Sequence, residues 1–206
     1  MRSIHFGTTR FRRAAGMNSE SPHVSERSAS SRRHRHRPRG PSPAVAEPRR
    51  PLLLAVLSFV RAAGVCPGVQ RISLLGSLAT AKAIPKDVDL LVTIDGAMEL
   101  TELARISRQL MGSAQTVNLG ADIFLADATG RYLGRVCRYR ECHPRVRCLA
   151  QHCGQKDHLN DDLHVVTLSQ EVITSPSVDL WPKVARRVAV PADVENLLLT
   201  KLERDQ

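Results

Sequence analysis

The sequence predicts an α/β (α+β) fold, a small mixed sheet flanked by helices, behind a disordered basic tail. Three observations carry this. The composition changes abruptly near residue 51, from an Arg/Ser/Pro-rich stretch to apolar periodic sequence. "DVDLLVTI" is apolar at nearly every position after its aspartates, the pattern of a strand covered on both faces. Short helical and strand periodicities alternate with tight connections, which assembles into packed layers.

The chain has 206 residues and a formal charge of +10, enough length for one ordinary domain with an appendage. The charge is unevenly placed. Residues 1–50 hold twelve arginines against Glu20, Glu26 and Glu47, whereas residues 51–206 carry a net charge of only +1. The basic character therefore belongs to the tail and says little about the partner of the folded part. "MNSESPHVSERSASSRRHRHRPRGPSPAVAEPRRP" is too poor in large apolar residues to offset its ordering entropy. Its arginines could tether RNA or DNA through phosphate contacts, or the segment could be a solvated extension.

Reading on from Leu52, "LLLAVLSFVRAAGV" has apolar residues at helical spacing and stops near Gly64 and Pro67. "RISLLG" reads as a short strand, "SLATAKA" as a short helix or turn, and "DVDLLVTI" as a second strand. "AMELTELARISRQLMGS" sets Met98, Leu100, Leu103, Ile106 and Leu110 on one face of an amphipathic helix. "GADIFLAD" is a third strand and "ATGRY" the turn after it. Beyond Tyr132 the periodicity weakens. "LHVVTL" is expected as a strand, "SPSVDLWP" as a loop with Trp181 as a packing anchor, and "PADVENLLLTKLER" as a closing helix. The domain reading is thus a tail over 1–50, a core over 51–130, and an extension over 131–206 packed on that core.

Chemistry concentrates in "LLGSLATAKAIPKDVDLLVTI". Asp87 and Asp89 are two apart at the mouth of a strand, so both point to one face. Two carboxylates so placed repel unless a cation lies between them, and a hard divalent ion is the usual answer. Gly76 and Ser77 end the preceding strand; the glycine permits close backbone approach to a phosphate, and the serine adds a hydroxyl and an N–H at a helix start. Asp122, on the first half of the next strand, is the candidate third carboxylate of a two-metal site. Asp127, five positions later, falls on the opposite face and suits the turn.

The Gly-Ser, spacer, Asp-x-Asp arrangement with a later strand aspartate resembles the nucleotidyltransferase fold of the DNA polymerase beta superfamily, especially its minimal members. The resemblance covers about residues 52–127. It implies transfer of a nucleoside monophosphate from a nucleoside triphosphate, with ATP as the expected donor, to an acceptor hydroxyl, using two Mg2+ ions. It places catalysis and metal binding on Asp87, Asp89 and Asp122, and nucleotide binding on Gly76 and Ser77. Acceptors among such proteins include tRNA, small molecules and proteins. The spacer departs from the pattern: Ala81 and Lys82 stand where Arg-Gly is common, and Lys86 where Ser is common. Lys82 can still meet a triphosphate as a point charge, without the planar fork of Arg.

A second cluster, "CRYRECHPRVRCLAQHC", offers Cys137, Cys142, Cys148 and Cys153 as a possible zinc tetrad. It lacks a C-x-x-C knuckle, so buried or unconstrained thiols are the alternative. Around it, Arg131, Arg135, Arg138, Arg140, Arg145, Arg147 and Lys156 form a basic stretch that could meet a triphosphate or an acidic acceptor, or be a solvated face. The apolar run "PLLLAVLSFV" is too short to span a bilayer and is no secretory signal, so no membrane partner and a cytoplasmic location are expected. The competing functional reading is a catalytically inactive binding module on the same fold, acting through the Cys/His region or the basic tail.

Overall fold

The structure, a computed structural model, describes residues 48–138 and 156–206. Its elements are α1 (Arg49–Gly64), β1 (Val69–Leu75), a single 3-10 turn (Ser77–Ala79), β2 (Asp87–Ile94), α2 (Thr101–Gln115), β3 (Gly120–Asp127) and β4 (Tyr132–Val136). Next come β5 (Leu159–Asn160), α3 (Gln170–Thr174), β6 (Val178–Trp181) and β7 (Ala185–Arg186). The chain closes on α4, built from Ala192–Val194 and Thr200–Glu203 joined through a π-helical Glu195–Leu199 stretch. The fold is mixed α+β around one seven-stranded sheet of order β5-β4-β3-β2-β1-β6-β7. Among the described strands only β2 and β3 run parallel, with α2 as their crossover; the other neighbours are antiparallel.

Helix α1 forms because Leu52, Leu53, Val56, Leu57, Val60 and Ala63 recur at the spacing of one helical face, and all are buried. Pro51 lies in its first turn, where no intrahelical N–H is required, and Arg61 in its last turn complements the carbonyl end. In α2 the buried face is Leu103, Ala104, Ile106, Ser107, Leu110, Met111 and Ala114, with Glu102 in the first turn. Met98 lies just before that helix, not in it, and is still buried against the core. Val88, Leu90, Val92 and Ile94 of β2 and Ala121, Ile123 and Leu125 of β3 pack with α1, α2 and α4 in one continuous core. The other sheet face carries a smaller cluster, Leu75, Leu91, Ala126 and Ile173, joined by Phe124 and Tyr132. Helices thus cover one face broadly, whereas the short α3 and its approach cover part of the other.

Trp181 ends β6 and lies against the last turn of α1. A Cβ on Gly64 would sit 2.9 Å from its indole Cδ2, so the glycine makes room for the ring. The anchoring role expected of Trp181 is thereby given a partner.

Two expectations are corrected. Residues 163–168, "LHVVTL", form no strand; the sheet is instead extended just upstream by Leu159 and Asn160. The reason is the turn that follows: the N–H groups of Val165 and Val166 both donate to the Asp162 carbonyl, at 2.8 and 2.9 Å. Leu163 is left about half exposed and Val165 largely so. Conversely, "SPSVDLWP" contains strand β6, because Val178 and Leu180 fall on the core face while Asp179 is satisfied on the other. Flanking Ser and Pro residues disguise it. The helix α1 also begins at Arg49, inside the arginine-rich stretch. Among the described residues, no helix is long and apolar enough to cross a membrane.

Leu90 is fully buried in the central strand, whereas Leu163 is about half exposed. Leu90→Ala is expected to lower unfolding stability by about 2–5 kcal/mol, and Leu163→Ala by less than about 0.5 kcal/mol. Urea denaturation of both variants measures the difference, and equal losses would contradict the placement of residues 163–168 off the sheet.

Candidate active site

The β2–β3 register brings the predicted carboxylates together. Asp89 lies opposite Asp122 in the parallel pair and opposite Leu75 in the antiparallel one, and Asp87 lies opposite Gly120. Directly opposed residues project to the same face, so Asp87, Asp89 and Asp122 share the less covered side of the sheet, at its open end beyond Leu91 and Phe124.

Charge crowding perturbs these carboxyls. Burial, then the charges of Asp87 and Asp122, push the Asp89 carboxyl up to about 7. Burial and then the Asp122 charge also raise Asp87, while Lys86 and Lys82 act in the opposite direction. A hydrogen bond between the two favours protonated Asp89 donating to ionised Asp87. Both carboxyls are thus pushed toward the protonated form, the direction expected of two carboxylates brought together with no cation between them.

Gly76 is required here twice over. Its φ of +67° is the left-handed region that disfavours side chains, and a Cβ would overlap Asp89 Oδ2. The carboxylate thus lies directly over the Gly76 backbone. Ser77 opens only a single 3-10 turn, too short for an appreciable helix dipole. Its hydroxyl has a different task, accepting the Lys86 N–H at 2.9 Å across nine residues, and its carbonyl accepts from Thr80 Oγ1 at 2.8 Å. Ser77 closes the loop that leads from the glycine to the aspartates. Lys82, exposed within that loop, is near enough to stabilise ionised Asp87.

Asp122 is where the structure adds most. Arg138 donates from Nη2 to both its oxygens, at 2.8 and 2.9 Å, and Arg135 Nη1 lies 3.8 Å away. Arg135 Nε bonds Asp162 Oδ2 at 2.9 Å, and the Tyr132 hydroxyl donates to Asp162 Oδ1 at 2.8 Å. Burial pushes Asp162 up, opposed by these two donors. A chain of alternating charge thus runs from Asp122 through Arg135 to Asp162. The sequence reading missed it, since Arg135 and Arg138 counted only as part of a basic stretch. A usable signal existed: the turn at residues 127–131 folds β4 back on β3 and sets Arg135 opposite Phe124, two positions along from Asp122.

Asp127 serves the turn, as its face suggested. Its Oδ1 accepts from the N–H groups of Thr129 and Arg131 at 3.0 and 2.9 Å; against the upward push of burial, these bonds and the Thr129 hydroxyl pull its carboxyl down to about 2. Cys137 is buried at the end of β4, where its N–H donates to the His158 carbonyl at 2.9 Å. Cys142, Cys148 and Cys153, like Arg140, Arg145 and Arg147, lie outside the described residues. A cavity of about 350 Å3 between Tyr132, Leu163, Leu168 and Ile173 is lined by none of the three site carboxylates.

The donor set suits a hard cation: it is all oxygen, and it carries the carboxylate repulsion that such an ion relieves. Among the described residues no three His, Cys, Asp or Glu side chains are gathered tightly enough to hold a metal as placed, and Asp122 is held by the two arginines instead. Comparisons with known protein families, with curated proteins and with solved structures find no match to this chain.

The raised Asp89 carboxyl has a measurable consequence. The folded protein keeps this proton up to about pH 7, while the unfolded chain releases it near its ordinary value of about 3.9, so ionisation opposes folding between those limits. Without divalent ions, Asp89→Asn should exceed wild type in stability at pH 8 by at least about 1.4 kcal/mol, the worth of one pK unit. The gap should close toward about pH 4. Urea unfolding in EDTA at both pH values checks this, and a pH-independent difference would refute the crowded-carboxylate description.

Proposed function

We propose that the chain is a Mg2+-dependent nucleotidyltransferase, moving a nucleoside monophosphate from a nucleoside triphosphate, ATP in the first instance, to an acceptor hydroxyl. One observation carries the reading: Asp87, Asp89 and Asp122 stand on one sheet face across adjoining parallel strands, with Asp89 over the backbone of Gly76. This is the arrangement expected of the nucleotidyltransferase fold, and the proposal includes that fold.

Asp87 and Asp89 would hold Mg2+, which would relieve their mutual repulsion, and Asp122 would complete the set. When bound, the two ions supply charge neutralisation at the α-phosphate and the leaving pyrophosphate. The remaining work falls to the chain. Gly76 leaves room for the Asp89 carboxylate to lie over its backbone, Lys82 and Lys86 would add positive charge beside the triphosphate, and Asp122 would accept the proton of the attacking hydroxyl. Attack is in line on the α-phosphorus, and catalysis comes chiefly from positioning and electrostatics. For Asp122 to take part, Arg138 must release it; Arg138 is half exposed and can turn to a phosphate, for which its planar fork is suited.

The same ion pair favours the second reading, an inactive binding module: a third carboxylate locked to two arginines is a stable resting arrangement. Calorimetry with ATP and Mg2+ separates the two. The enzyme reading expects saturable binding by wild type, abolished by EDTA and weakened at least tenfold in the double variant Asp87→Asn, Asp89→Asn. No binding by the folded wild type removes it. The acceptor, whether tRNA, small molecule or protein, is found by incubating the protein with labelled nucleotides and a cell extract and identifying what becomes labelled.

A further inference from the structure

The loop over residues 76–86 carries Gly76, Ser77 and Lys82, yet beyond its single 3-10 turn it has no regular structure to hold it. Its far end is pinned to Ser77 by the Lys86 N–H. Its middle is held by a residue distant in sequence. The Arg49 guanidinium donates from Nη1 to the Lys82 carbonyl at 2.8 Å and from Nη2 to the Leu78 carbonyl at 3.1 Å. The same group forks onto Asp193, with Nε to Oδ2 at 2.5 Å and Nη2 to Oδ1 at 3.1 Å. The arginine side chain is only 11% exposed.

We propose that Arg49 is a positioning residue for the nucleotide-binding loop, with Asp193 of α4 as the counter-ion that holds its guanidinium in place. The inference rests on the reading that this loop receives the triphosphate. Four bonds from one rigid fork fix two carbonyls of the loop relative to both α1 and α4, which a lysine, with one point charge, cannot reproduce. Carbonyl oxygens turned toward a triphosphate would repel it, and Arg49 engages two of them with a cation. Burying a guanidinium is unfavourable unless its donors are met, and here a carboxylate and two carbonyls meet them. Arg61 and Asp205 make a comparable tie between α1 and the C-terminal end, but both are exposed and neither touches the loop. That pair serves as the control.

Amide hydrogen exchange and Mg2+-ATP calorimetry on the full chain test the assignment. Arg49→Met should accelerate exchange at the Thr80 and Lys86 amides about tenfold or more, leave Leu90 and Val92 in β2 unchanged, and weaken Mg2+-ATP binding about tenfold. Arg61→Met should leave all three within about twofold. Arg49→Lys, which keeps a charge opposite Asp193, should recover the melting temperature more fully than loop protection or nucleotide affinity. The proposal is overturned if folded Arg49→Met shows wild-type exchange at Thr80 and Lys86, or if β2 accelerates equally with the loop. It is overturned as well if Arg49→Lys restores the loop completely. Should the wild type bind no Mg2+-ATP, the nucleotidyltransferase reading falls, and the exchange comparison still decides whether Arg49 holds the loop.

Discussion

Strand β2 is the constraint on which the structure depends. It lies between antiparallel β1 and parallel β3 and is buried on both faces from Leu90 to Ile94. Because side chains alternate, a slip of one residue against either neighbour would drive Asp87 and Asp89 into the helix-packed core and expose Val88 and Leu90. Both errors are expensive: ionised carboxylates would be buried without partners, and apolar side chains would be left in water. The apolar residues and the aspartates therefore specify one register between them. That register in turn sets Asp89 opposite Asp122 and over Gly76. The geometry of the candidate site is thus a consequence of how the core packs.

The arrangement leaves crowded charge at one end of the sheet. Ser73, Asp179 and Arg187, on the same face, show the alternative outcome: the serine hydroxyl donates to Asp179 Oδ1 at 2.6 Å and the arginine to Oδ2 at 2.7 Å. Asp162 is likewise met by Tyr132 and Arg135. Asp122 has Arg138. Asp87 and Asp89 have each other, and the partly exposed lysines of the loop act on Asp87 alone. Asp162 and Asp179 are met by arginines whereas this pair is not, and carboxylates perturbed in this way gather where chemistry is done.

Much of this was legible in the sequence wherever periodicity and burial coincide. The bounds of β2 and β3 follow directly from "DVDLLVTI" and "GADIFLAD", and the shared face of Asp87 and Asp89 follows from their spacing alone. Asp122 was legible as a residue type on a strand, and its position opposite Asp89 required the parallel pairing that only the fold supplies. Failures came where local pattern and tertiary context part. "LHVVTL" has the composition of a strand but follows a turn built on the Asp162 carbonyl. "SVDLW" has strand alternation hidden between Ser and Pro. Arg49 falls in the tail by composition because its neighbours are arginines, although a single partly exposed carboxylate, 144 residues away, draws it into the core. Composition averages over neighbours; an ion pair does not.

The C-terminal residues are more than an addition to the strand pair that carries the aspartates. β1 has two edges, and without β6 one of them would present unpaired N–H and C=O groups. Ser73 would then keep a buried hydroxyl with no acceptor, and α1 would lose Leu198, Leu199 and Leu202 from the cluster that covers it. Asp193 sits on that same helix, so losing α4 would also free Arg49 from its counter-ion and leave a buried cation bonded only to two carbonyls of the site loop. Packing and electrostatics thus point one way. The carboxylates sit on β2 and β3, but the loop that accompanies them is held by the first helix and the last, and the site is a property of the whole sheet with its helical layer.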